Sequence, residues 1–191
     1  MRRLFVVLAL LLPLPVQAGD HILIPMFGFT DISDNTGHTA RGNSISFDDS
    51  NEATLGFKYL YMVEGGFAFG VNTYFYEKDL TTTAQATDAD IVHVHGLAEY
   101  YFNHKGAVSP FLGIGLGFSA ISFNSGILDD ETSSGGSYEL NGGAKFKVSD
   151  TIGIQVEYKY TDFDIDDAID SLRTDIDTDS HSVLVGVSIT L

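Results

Sequence analysis

Ser137–Phe163 reads SYELNGGAKFKVSDTIGIQVEYKYTDF, and its alternation decides the fold. In the first half Tyr138, Leu140, Gly142, Ala144, Phe146 and Val148 fall on one side, and Ser137, Glu139, Asn141, Gly143, Lys145 and Lys147 on the other. After the polar joint Ser149-Asp150-Thr151 the pattern resumes. Ile152, Ile154, Val156, Tyr158 and Tyr160 oppose Gly153, Gln155, Glu157, Lys159 and Thr161. Successive side chains of a β-strand leave opposite faces, so a period of two predicts strands, and a short polar joint predicts an antiparallel hairpin. Each run is about twice the usual ~5–6 residues of a globular strand. A tilted strand that crosses a bilayer needs roughly 9–11. Length and one uniformly oily face together predict a hairpin that spans a membrane.

The same alternation extends outward along the chain. It predicts strands over His21–Thr30, Asn51–Val63, Phe67–Glu77, Asp90–Phe102, Pro110–Phe123 and Asp179–Leu191, in addition to the opening pair. Asp31–Ser50, Lys78–Ala89, Asn124–Gly136 and Asp164–Thr178 read as long polar loops. Glu64–Gly66, Asn103–Ser109 and Ser149–Thr151 read as short turns. Long and short connections therefore alternate, with both chain ends on the short-turn side. Outer-membrane barrels have an even strand number, short periplasmic turns and longer outside loops. The expected fold is all-β, an eight-stranded antiparallel up-and-down transmembrane β-barrel.

The beginning of the chain has a different character. Met1-Arg2-Arg3, the apolar run Leu4–Leu12 and the small-residue site Val16-Gln17-Ala18 predict a cleaved signal peptide over 1–18. The barrel domain then occupies 19–191. The whole chain has 10 basic and 26 acidic residues, a formal charge of −16, and loss of Arg2 and Arg3 takes this to −18. No basic patch exists, so nucleic acid is not an expected partner. Cysteine is absent, which leaves closure and burial to hold an exported fold together. After the signal no apolar run is long enough for a transmembrane helix, and only a closed barrel satisfies the backbone in lipid without one.

Alternation alone does not say which face is oily. A soluble lipocalin-like barrel alternates as well, with its apolar face inward. Residue size separates the two. Gly113, Gly115, Gly117, Ala68, Gly70 and Gly143 lie on the polar side, where a narrow lumen has little room, and the opposite side is bulky and aliphatic. The apolar face is therefore expected outward, with Leu112, Ile114 and Leu116 toward hydrocarbon. Aromatic residues are expected in two belts. Tyr59, Tyr61, Phe67, Tyr100, Phe102 and Phe146 fall near the short turns, and Phe75, Tyr76, Phe118, Tyr158 and Tyr160 near the loops. The inward face carries Lys58, Glu99, Glu139, Lys145, Lys147, Glu157 and Lys159. Unpaired buried charge is costly, so these seven are expected to form a charge network that plugs the lumen.

Three stretches carry a family likeness: PFLGIGLGFS from Pro110, GGAKFKVSDTIGIQVEYKYTDF from Gly142 and HSVLVGVSITL from His181. They resemble the small eight-stranded outer-membrane barrels, the OmpA-like transmembrane domain and the related OmpX, Ail and opacity-type adhesin group. The resemblance covers most of the chain after the signal. It implies a structural protein, adhesin or host-surface binder of a Gram-negative outer membrane. Lipid and lipopolysaccharide would be its surroundings, and the loops would meet a surface or host partner. That family's last strand usually ends in Phe; here Leu191 closes an intact apolar alternation.

Signals for chemistry are sparse. His93 and His95 point the same way and would need a third metal ligand, for which Glu99 is the nearest carboxylate on that face. Ordinary lumen hydrogen bonding accounts for them as well. His181 and Ser182 are neighbours on a strand and face oppositely, which separates a nucleophile from its base. Asp162, Asp164, Asp166 and Asp167 open the most acidic loop and offer oxygen ligands for weak divalent-cation binding, but the central Gly and final Glu of an EF-hand are missing. No catalytic residue, cofactor or dedicated metal centre is expected. The alternatives are a membrane-embedded lipid-modifying enzyme and a soluble periplasmic ligand-binding barrel.

Overall fold

A computed structural model describes residues 19–33, 37–39, 44–47, 51–82, 86–124, 132–169 and 172–191. Side chains are described for all of these except 37–39, 44–47, 79–82, 86–88, 123–124, 165–169 and 172–177. The expected signal segment lies outside the described residues.

Eight long strands form the wall: β1 (Asp20–Ile32), β4 (Glu52–Met62), β5 (Phe67–Thr82), β6 (Ala86–Tyr101), β7 (Val108–Asn124), β8 (Thr132–Lys147), β9 (Ile152–Ile169) and β10 (Leu172–Thr190). Each pairs antiparallel with its neighbour in sequence among the eight. Pairing of β1 with β10, from Ile22↔Thr190 to Ile32↔Ser180, closes the barrel. Closure leaves no open edge within the wall, which is what a sheet in hydrocarbon requires. The short connections are tight. Gly65 and Gly66 turn β4 into β5 at φ of 92° and 89°, a left-handed conformation that side chains with a Cβ disfavour.

The connections at the other end differ from the expectation. Asp164–Ile169 and Leu172–Thr178 belong to strands rather than to a loop: β9 and β10 stay paired from Ile189↔Ile152 out to Leu172↔Ile169. β5 and β6 likewise continue through Lys78↔Ala89 to Thr81↔Ala86. The physical reason is that extended backbone satisfies its hydrogen bonds by continuing the ladder, and polar side chains do not prevent this once the ladder has left the membrane. Two short strands, β2 (Gly37–Thr39) and β3 (Ser44–Phe47), lie within the first outer connection. β2 pairs with β10 and β3 with β5, so they continue the wall above the shorter β1 and β4.

The oily face is outward. Leu112, Ile114 and Leu116 are 61%, 58% and 73% exposed, and Phe27, Phe69, Leu140, Val156 and Val183 are exposed in the same way. An inward-oily soluble barrel is thereby excluded. Phe67, Tyr100, Phe102 and Phe146 lie on the outside near the short turns, and Phe75, Phe118 and Tyr158 farther out. Tyr76 is a correction, because it is 2% exposed and faces the lumen. Its even number places it with Tyr74 rather than with Phe75, as strand parity demands.

Candidate functional site

The lumen holds two apolar clusters and an ionic one. Toward the short turns, Ile22, Ile24, Met26, Leu60, Met62, Leu97, Tyr101, Phe111 and Leu184 pack together. Toward the outer end, Ile32, Tyr74, Tyr76, Ala89, Ile91, Ile121 and Phe163 form a second cluster. This explains β1, where Ile22-Leu23-Ile24 is apolar on both sides. Its inward residues belong to the first cluster and its outward ones meet lipid.

Five of the seven charged residues expected in the lumen meet in one alternating chain. Lys58 Nζ lies 2.6 Å from both Glu99 Oε1 and Glu157 Oε2. Lys159 Nζ lies 2.6 Å from Glu157 Oε1 and 2.9 Å from Glu139 Oε1. Neutral donors complete the carboxylates. Asn141 Nδ2 shares its two hydrogens among Glu99, Glu139 and Glu157, at 2.8, 3.1 and 3.3 Å. Asn72 Nδ2 donates to Glu139 Oε2 at 2.8 Å, Gln155 Nε2 to Glu157 Oε2 at 2.8 Å, and the Tyr101 hydroxyl to Glu99 Oε2 at 2.9 Å. The ammonium groups also sit near aromatic faces, Lys58 over Phe111 and Lys159 over Tyr74. Gly113 makes room for this, since a Cβ there would meet Asn141 Oδ1 at 2.2 Å and Glu99 Cγ at 2.6 Å.

Lys145 and Lys147 are not part of the chain. They share its strand parity but stand at the short-turn mouth, where they line an open cavity of about 630 Å³ together with Asp20, Glu64, His104 and Lys105. Lys145 Nζ lies over the Tyr101 ring, 5.4 Å from its centroid, and Lys147 pairs with Asp150 in the turn at 2.7 Å. Parity fixes the face of a side chain and says nothing of its height along the barrel axis, so two residues on the correct face reached the wrong layer.

His93 and His95 are lumen polar groups. His93 hydrogen-bonds with Ser119 Oγ at 2.6 Å through Nδ1 and with the Tyr76 hydroxyl at 3.1 Å through Nε2. His95 Nε2 hydrogen-bonds with Ser137 Oγ at 2.9 Å. Glu99 is committed to Lys58 and does not join them. Ser182 hydrogen-bonds with Thr30 inside the lumen at 2.7 Å, while His181 faces out, so the two stand on opposite sides of the wall as strand parity requires. His181 Nδ1 hydrogen-bonds with the Tyr158 hydroxyl at 2.6 Å, and its Nε2 lies 3.1 Å from Asp179. Sequence reading missed this outer cluster and the roles of Asn72, Asn141 and Gln155. The signal for them is the cross-strand register, Asn141↔Lys159 and His181↔Tyr160, which no single strand reveals.

Asp162, Asp164, Asp166 and Asp167 belong to β9 rather than to a loop. Register sets Asp162 opposite Asp179, Asp164 opposite Asp177 and Asp166 opposite Asp175. The side chains of Asp166 and Asp167 lie outside the described residues. Among the described residues no group of three or more His, Asp or Glu is arranged to hold a metal ion.

Comparison with known proteins agrees with this architecture. The chain is similar to the Neisserial surface protein A, at 17% identity and a TM-score of 0.65 over 88% of this chain and 96% of that one. It is similar to the outer membrane protein OprG from Pseudomonas aeruginosa, at 16% identity and a TM-score of 0.58 over 91% and 97%. It is also similar to Ail, the attachment invasion locus protein of Yersinia pestis, solved with the heparin analogue sucrose octasulfate, at 16% identity and a TM-score of 0.52 over 91% and 100%. No curated protein sequence matches significantly. A closed eight-stranded barrel with hydrocarbon-facing aliphatic side chains, and a match of residues 5–189 to the outer membrane protein beta-barrel domain, make this chain a member of that outer-membrane family.

Proposed function

We propose that this protein is a non-enzymatic outer-membrane barrel with a plugged lumen, which acts through its outer strand extensions on a surface partner. The observation that carries the reading is the filled interior. Lys58, Glu99, Glu139, Glu157 and Lys159 are buried in the lumen beside the apolar clusters and hold one another through short contacts. Ions crossing such a lumen would have to break these pairs in a low dielectric, at a cost of several kcal/mol each. The experiment is conductance of the purified barrel in planar bilayers. Leak-level current is expected, and a large, stable single-channel conductance would overturn the plugged reading.

The partner is read from the outer ladder. Three Asp–Asp registers on β9 and β10 concentrate negative charge beyond the membrane. Ail was solved with a polyanionic heparin analogue. The acidic ladder here repels such a ligand and favours a basic surface. Divalent cations would relieve like charges set directly opposite each other, and could bridge the ladder to lipopolysaccharide phosphates. Barrel reconstituted in vesicles should bind polylysine more tightly at low salt than at high salt and should not bind heparin; the reverse preference would refute the assignment. Calorimetry with millimolar calcium tests the bridge, which falls if no heat is seen.

A further inference from the structure

We infer that the buried ionic chain holds one proton of its own, on the imidazole of His95, so that His95 is its terminal cation at neutral pH. The order of the chain is Glu99, Lys58, Glu157, Lys159, Glu139: carboxylates stand at both ends, three against two ammonium groups. All five are within 2% of complete burial. One uncompensated charge in such a medium is expensive, so a sixth, positive member is called for. His95 stands where that member belongs. Its Nδ1 is 3.3 Å from Glu139 Oε2, within ion-pair distance though not aligned as a hydrogen bond, and is otherwise without a partner.

The carboxylates themselves are poor hosts for the proton. Glu99 receives Lys58, Asn141 and Tyr101; Glu157 receives Lys58, Lys159, Gln155 and Asn141; Glu139 receives Lys159, Asn141 and Asn72. Every one of the six oxygens already accepts from a donor, so an added O–H would point at another hydrogen. His93 is satisfied as a neutral ring between Ser119 and Tyr76. His95 differs on both nitrogens. A carboxylate faces Nδ1, which therefore carries hydrogen, and the Ser137 hydroxyl at Nε2 can accept a second N–H as readily as donate to a bare nitrogen. Charge balance selects the doubly protonated ring.

Among the described residues, four groups meet His95 directly: His93 on its own strand and Tyr74 on β5, whose rings stack with it, and Ser137 and Glu139 on β8. Glu139 in turn receives Asn72 from β5, Asn141 from β8 and Lys159 from β9, Ser119 on β7 is bonded to His93, and Glu99 lies farther along the same strand, paired with Lys58. Lys159 opposes a second cation, but Glu139 and Glu157 flank it on both sides.

The test is nitrogen-15 NMR of histidine-labelled barrel, refolded in micelles at neutral pH and assigned through scalar couplings in the wild-type protein. His95 should show both ring nitrogens in the imidazolium range, while His93 shows a neutral tautomer. In Glu139→Gln the chain balances at two against two, and the His95 imidazolium signature should be lost. A neutral His95 in the wild-type barrel overturns the inference, and because that measurement needs no variant, a folding defect in E139Q does not rescue it. The inference rests on the same buried chain as the plugged reading but fails separately. A conducting barrel with an imidazolium at His95 would sink the plug and leave the proton in place.

Discussion

Lys58–Glu157 in the lumen and Lys147–Asp150 in a short turn are the same chemical contact at nearly the same distance, 2.6 Å and 2.7 Å. The side chains of the first pair are 0% and 1% exposed, and those of the second 46% and 95%. In bulk water two unit charges ~4 Å apart attract by about 1 kcal/mol, and at the effective dielectric constant of about 20 that suits protein sites by about 4 kcal/mol. The larger attraction belongs to groups that gave up hydration to get there, so the buried pair matters chiefly through what its loss would leave behind. Contact distance therefore does not rank ion pairs, and surroundings do.

The strongest way to break the comparison is Lys58→Met. Glu99 and Glu157 would each lose a buried cation held at 2.6 Å. Removal of one partner from a buried pair costs about 3–5 kcal/mol, since the stranded charge stays behind. Urea unfolding in vesicles should show that loss; with no Trp in the chain, circular dichroism and the heat-dependent gel shift are the suitable probes. Adding Glu99→Gln should recover part of it, because the second change removes one of the stranded charges.

A lysine with no partner sharpens the same point on the outer face. Leu116 is 73% exposed halfway along β7, toward hydrocarbon rather than water. Leu116→Lys should cost roughly 2–4 kcal/mol, and Leu191→Lys, equally exposed but at the rim, only about 0–1. The flexible stem lets an ammonium near the interface reach water, and one at mid-depth must climb for it. Equal destabilisation at both depths, read by the same unfolding assay, would mean that Leu116 does not face the bilayer centre.

Which face each residue occupies was legible in the sequence, because strand parity is a local property. Alternation puts Lys58, Glu99, Glu139, Glu157 and Lys159 on one face, the small residues sharing that face mark it as the inner one, and all five are buried. Their partnership was not legible, since it depends on register between strands and on height along the axis. Lys145 and Lys147 carry the same parity as Glu139 and yet sit at the mouth. Asp164–Thr178 was misread for a related reason. Its acidic side chains resemble a solvated loop, although Phe163, Ile165, Ile176 and Thr178 keep the period of two, and Ile165 lies opposite Ile176 in the ladder. Polarity marks where the membrane ends, whereas alternation marks where the strand ends, and here the two differ by several residues.

The weakest expected effect is at Asp150. Its carboxyl sits below the usual carboxylate range, chiefly through its hydrogen bond with the Lys147 ammonium and then through that group's charge. A carboxylate lowered in the folded state adds stability above its unfolded value and loses it as pH falls through the lowered one. Here both partners are largely in water, which screens the charge and leaves the side chains free, so the thermodynamic share is close to nothing. Asp150→Asn should therefore leave the unfolding midpoint within measurement scatter at neutral pH, and its profile should overlay the wild type through the acid limb. A loss approaching that of Lys58→Met would mean that proximity, and not dehydration, decides what an ion pair is worth in this barrel.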